Sequence, residues 1–183
     1  MLERLMTPLR RLAGIRVVAD LGEVHQGKLG QVDCEVRLWL EQWRGRYFVA
    51  IQVAHRRGSN FSRTRVLKWP YSKGQPQDLQ AVIDDLQVVE RAAQGQGLKE
   101  GRGWVGRAVD RVFRRDYLGE YRFASPLAGR PASRVEATVE NASRQTWVSL
   151  VERRGRKGSI MVQFPHAAVR ALREALETYA TRG

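Results

Sequence analysis

Two stretches of this 183-residue chain read alike, and that likeness limits the fold more than any other feature. His55-Arg56-Arg57-Gly58 recurs as Glu152-Arg153-Arg154-Gly155, and Val66-Leu67-Lys68-Trp69-Pro70 recurs as Met161-Val162-Gln163-Phe164-Pro165. Each aromatic-proline pair is followed by an apolar-periodic segment, Leu79, Val82, Leu86 and Val89 in one case and Val169, Leu172, Leu176 and Tyr179 in the other. Upstream, Leu21-Gly22-Glu23 matches Leu118-Gly119-Glu120, and Val32 to Val36 matches Val135 to Val139. Five landmarks in the same order are the mark of internal repetition.

Period-two alternation then assigns strands. Val32, Cys34, Val36, Leu38 and Leu40 alternate with Asp33, Glu35, Arg37 and Trp39, the pattern of a half-buried strand. Trp43-Arg44-Gly45-Arg46 reads as a turn, Tyr47 to Ala54 as the next strand, Arg56 to Asn60 as a second turn, and Phe61 to Trp69 as the returning strand. Gly22 to Val24 supplies an earlier partner strand. Pro76-Gln77-Asp78 starts a helix through Leu79, Val82, Ile83, Leu86 and Val89, which Gln94-Gly95-Gln96-Gly97 ends. In the second half the strands are Tyr117 to Phe123, Arg134 to Glu140, Thr146 to Glu152 and Ser159 to Phe164, with a helix from Ala167 to Ala180.

The expected fold is α+β: two tandem ββββα repeats forming one pseudo-twofold domain over residues 1–183. The first repeat spans 15–94, a connecting segment 95–116 and the second repeat 117–183. Val105, Ala108, Val109 and Val112 predict a helix in the connecting segment, and Leu2, Leu5, Met6 and Leu9 a short N-terminal one.

Charge points to the partner. Lys+Arg 32 against Asp+Glu 19 leaves a formal +13, and arginine supplies most of it. Arginine's planar fork stacks and binds phosphate bidentately, so the bias suits nucleic acid. From Arg44 to Lys73 there are eight basic residues and no acidic one. Arg44, Arg46, Arg56, Arg57, Arg63, Arg65 and Lys68 are interleaved there with Trp43, Tyr47, Phe48, Phe61, Trp69 and Tyr71. Arg144, Trp147, Arg153, Arg154, Arg156 and Lys157 are comparably placed in the second half. With Val49, Ile51 and Val53 facing the core, Phe48, Ala50 and Gln52 face outward, as do Trp147, Ser149 and Val151. Phe48 and Trp147 are then candidate platforms for stacked bases, and the arginines candidate phosphate contacts. Trp39 and Trp69 read as core or interface.

Arg156-Lys157-Gly158-Ser159-Ile160, followed by a strand, Pro165 and a helix, resembles the end of the single-strand-binding domain of transcriptional positive cofactor four, where a Gly-Arg-Lys-Gly turn precedes the last strand and helix. The doubled architecture is similar to that of the PUR-repeat and Whirly proteins. The resemblance implies curved antiparallel sheets that bind single-stranded DNA or RNA without catalysis, in transcription, replication, repair or RNA handling. It implicates Arg154, Arg156 and Lys157, and by the matching turn Arg56 and Arg57 with Arg63 and Arg65. The first half departs from it, with Gly58-Ser59-Asn60-Phe61 in place of the compact Lys-Gly turn.

Enzymatic and metal-dependent classes find no support. His25, His55 and His166 sit in different elements without ligands at metal spacing, and Asp84, Asp85 and Glu90 read as the polar side of a helix. No cofactor is expected. One cysteine, Cys34, excludes an intrachain disulfide and suits a reducing compartment, with nucleoid association if the source is bacterial. No apolar run reaches the roughly 20 residues of a membrane span, so no membrane partner is expected. Met1 to Met6 is too polar for a secretory segment, and Glu3 argues against a mitochondrial one. The rival reading is an interaction protein whose basic face docks an acidic partner such as a polymerase subunit. A homo-dimer or higher homo-oligomer fits either reading.

Overall fold

The alternating segments form strands and the apolar-periodic segments form helices in the computed structural model. It describes residues 14–58, 61–72, 75, 78–96, 108–109, 111–112, 115–123, 134–142, 145–153 and 159–182. Four strands, β1 (Ile15–Leu29), β2 (Val32–Trp43), β3 (Arg46–Arg57) and β4 (Phe61–Ser72), precede α1 (Gln80–Ala93). Four more follow, β5 (Arg115–Phe123), β6 (Arg134–Ala142), β7 (Gln145–Arg153) and β8 (Ser159–Pro165), and then α2 (Ala167–Arg182). They make two four-stranded antiparallel sheets, ordered β1-β2-β3-β4 and β5-β6-β7-β8, in a mixed α+β structure. The expected N-terminal helix lies outside the described residues. Of the expected connecting helix, Ala108, Val109, Arg111 and Val112 are helical, and Arg115 already belongs to β5.

β1 is far longer than its alternation suggests. Register shifts at Val17/Ala19, Asp20/Gly22 and Glu23/His25 rephase it, so successive residues do not keep to one face. At the second shift Gly22 takes φ +76° and its N–H donates to Asp20 Oδ1 at 2.9 Å. Such bulges twist an edge strand away from further pairing. Pro70 and Pro165 lie in β4 and β8, which are edge strands, where a missing N–H disrupts no ladder on the open side.

Each helix packs across to the other sheet. α1 follows β4 in the chain but rests on β5, β6 and β7; α2 follows β8 but rests on β1 as well as β8, and the two helices touch. Val82, Ile83, Leu86, Val89 and Ala92 of α1 and Val169, Leu172 and Leu176 of α2 are buried in one core with Val36, Leu38, Leu40, Val49, Ile51, Leu67, Val148, Leu150 and Phe164. Trp69 is buried and stacks on Phe123 of the other sheet at 5.5 Å between centroids, so this tryptophan joins the sheets. Glu90 clamps the helices, accepting from Arg170 Nε at 3.0 Å and Arg173 Nε at 2.9 Å. Burial raises its pKa, but the two guanidiniums outweigh burial and hold it below its ordinary value.

α1 ends as its sequence directs. Gly95, at φ +77°, donates to Ala92 O, and Gln96 N donates to Arg91 O, the paired bonds of a Schellman cap. Within α1, burial and then the neighbouring Asp84 carboxylate push Asp85 up to about 6, from an ordinary 3.8. Between these values the folded chain binds the extra proton, so unfolding free energy falls as pH rises through the window. Asp85→Asn is therefore expected to raise stability at pH 7 by on the order of 1–2 kcal/mol, with the gain vanishing below about pH 4. Denaturant unfolding of both forms at pH 4 and pH 7 checks it; an equal gain at both would show that ionisation is not the cause.

The ladders also place the landmarks. Val49 stands opposite Trp69 and Leu40, as Val148 stands opposite Phe164 and Val139. Ala19 stands opposite Leu40 in the first sheet, and Gly119 stands opposite Val139 in the second.

Candidate nucleic-acid interface

Antiparallel register divides the cations of the first sheet into separate groups. At one end, Trp43 pairs with Arg46 around the two-residue turn Arg44-Gly45, whose φ values are 51° and 72°. Two left-handed central residues match the right-handed twist of the strands. Glycine adopts this freely, whereas Arg44 does so at about 1 kcal/mol or more. The strained residue carries the contact: Arg44 Cζ lies 4.9 Å from the centroid of the Trp43 ring, which is 40% exposed. Arg46 is exposed beside it, and among the described residues neither arginine meets a carboxylate.

Further along the same face the charge of Lys68 is matched by a buried carboxylate. Trp39, Ala50 and Lys68 share one rung, and Glu41, Phe48 and Pro70 the next. Glu41, 1% exposed, accepts from Trp39 Nε1 at 3.1 Å and pairs with the Lys68 ammonium. Lys68, expected from sequence as a phosphate contact, is therefore engaged by a buried carboxylate. Phe48 is half-buried and Ala50 is fully buried, so this strand does not present the open row expected of it. Trp39 is buried rather than available for stacking.

At the far end stand Arg56 and Arg57. Arg56 Nη2 is 3.3 Å from Glu35 Oε2 while the side chain stays 63% exposed, and Arg57 Nη2 is 3.4 Å from Gln31 Oε1. Ten residues of strand put Arg46 and Arg56 roughly 33 Å apart. Arg63 is exposed opposite His55, and Arg65 donates to Met161 O at 3.2 Å, which commits part of its guanidinium to the other sheet.

In the second sheet Trp147 is half-buried and packs against the core, with Nε1 enclosed. The β1–β2 turn lies over it: a Cβ at Gly30 would come within 3.9 Å of Trp147 Cζ2. Gln145 holds that turn in place, donating to Lys28 O at 2.7 Å and accepting from Gly30 N–H at 2.9 Å. Trp147 is thus a contact between the sheets, not the freestanding ring its alternation suggested. Arg144, Arg154, Arg156, Lys157 and the Arg153 side chain lie outside the described residues.

Trp43 is the residue that the candidate set omitted. It appears in the basic stretch as a ring next to a turn, and the Arg-Gly pair is the signal that could have singled it out. Among the described residues no three His, Cys, Asp or Glu side chains gather where they could hold a metal ion, and no helix is long and apolar enough to cross a membrane. Burial pushes the Cys34 thiol up to about 11, which leaves it unreactive. No protein-family model matches the chain, and no curated protein matches it.

Proposed function

We propose that this chain is a non-enzymatic protein that binds single-stranded DNA or RNA, and that it is a pseudo-twofold pair of ββββα units. The doubled architecture is supported rung by rung: Phe48 faces Pro70 and Glu41 where Trp147 faces Pro165 and Glu140, and both glutamates are buried. The single observation that carries the function is the β2–β3 tip, an exposed tryptophan flanked by Arg44 and Arg46, which meet no carboxylate among the described residues. A ring with an accessible face takes an unpaired base of any identity, and cations around it hold the adjoining phosphates.

Trp43→Ala is expected to weaken oligonucleotide binding by about 5- to 150-fold, the value of one stacked base, by a similar factor at every salt concentration. Titration of a labelled single strand at several salt concentrations measures this. Unchanged affinity in a folded variant would remove the tip from the interface and the reading with it.

A further inference from the structure

β8 pairs with β7 on one side only, and its other edge meets the ends of β3 and β4. Two side chains of the first sheet reach that edge: Arg65 Nη1 donates to Met161 O at 3.2 Å, and His55 Nε2 lies 2.8 Å from Gln163 O, placed to donate to it. In an antiparallel strand the N–H and C=O of one residue point the same way, so the N–H groups of Met161 and Gln163 face this gap too. A cleft results, lined by Val53, His55, Arg63, Arg65, Met161 and Gln163. Into it converge an exposed arginine, a second arginine whose Nη1 donates to Met161 O, an imidazole and backbone donors.

We propose that this cleft is a binding site for a phosphomonoester, the group shared by a strand terminus and a free mononucleotide. A monoester near neutrality carries close to two charges and offers three acceptor oxygens, matching two guanidiniums and the donors between them. A mid-strand diester offers one charge and two free oxygens. The choice of a strand end as ligand rests on the single-strand reading above; the phosphate chemistry does not.

His55 is the internal reporter. Burial lowers its pKa first and the Arg63 charge lowers it further, while the bond to Gln163 O works the other way. From β2, Cys34 stands opposite His55 as a neutral buried thiol, and from β7 Glu152 accepts from Lys68 N–H on the same edge of β4. An anion seated against Arg63 and His55 raises the His55 pKa again.

The test uses the full chain with one oligonucleotide sequence carrying a 5′-phosphate, a 3′-phosphate or hydroxyls at both ends. Inorganic phosphate is titrated separately while the His55 ring is followed by NMR. One phosphorylated end is expected to bind about tenfold tighter than the hydroxyl form, near the low end for a single hydrogen bond to a charged group. Inorganic phosphate is expected to raise the His55 pKa, and Arg63→Gln to bring the phosphate-to-hydroxyl ratio to one and end the His55 response. Equal binding of all three oligonucleotides with an unmoved His55 overturns the proposal and leaves the single-strand reading intact. If no oligonucleotide binds, that reading fails, and the His55 response to inorganic phosphate alone decides the cleft.

Discussion

Lys68→Met is expected to cost about 3 kcal/mol of unfolding free energy, although Lys68 belongs to the most basic stretch of the chain. Its ammonium is paired with Glu41, and the exposures are unequal: the lysine side chain is 29% exposed and the glutamate 1%. Removing the cation leaves a carboxylate enclosed in the sheet, where among the described residues the Trp39 N–H at 3.1 Å is what remains to stabilise it. Breaking such a pair costs more than the pair contributes, because the stranded charge stays out of water. The lower end of the usual range applies, since Lys68 itself keeps some solvent. Glu41→Gln combined with Lys68→Met removes both charges and is expected to recover most of the loss. The measurement is the denaturant midpoint of the single and double variants at constant slope. A Lys68→Met protein of ordinary stability and greatly reduced oligonucleotide affinity would return Lys68 to the interface.

That pair shows where legibility ended. Glu41 and Lys68 meet only because two hairpins set their registers, and a residue-by-residue reading of charge does not carry register. Where one signal suffices, sequence and structure coincide: the alternation from Val32 to Leu40 lies within β2, the tract through Val82, Leu86 and Val89 is the buried face of α1, and Gln94-Gly95 closes that helix. β1 resisted because its bulges destroy the period that identifies a strand. Trp147 was misplaced for a different reason. Alternation puts it opposite the core face, but the β1–β2 turn of the other sheet arrives to cover it, and no local pattern announces that contact. The crossing of α1 to β5, β6 and β7 is likewise a tertiary choice, invisible in the order of elements. At the candidate site the residue types were readable, whereas their division into a Trp43 tip, a charge-matched middle and an Arg56-Arg57 end was not.

That division sets the second large effect. Arg44, Arg46, Arg56 and Arg57 are exposed, and they stand at the two ends of β3. Each that neutralises a phosphate of a single strand releases counterions and adds about 0.7 to the slope of log affinity against log salt. Changing all four to Gln is therefore expected to flatten the slope by about 3 and, at roughly 0.1 M salt, to weaken binding by several hundred-fold relative to the unvaried chain. Extrapolated to about 1 M salt the two proteins should bind alike, because the stacking at Trp43 is untouched. The two pairs can also be separated. Because roughly 33 Å lies between them, a short oligonucleotide that spans only the Trp43 tip should sense Arg44→Gln with Arg46→Gln and ignore Arg56→Gln with Arg57→Gln. A long one should sense both. If the long strand is also indifferent to Arg56 and Arg57, the path does not run along β3, and Glu35 and Gln31 are then the partners that account for those two arginines.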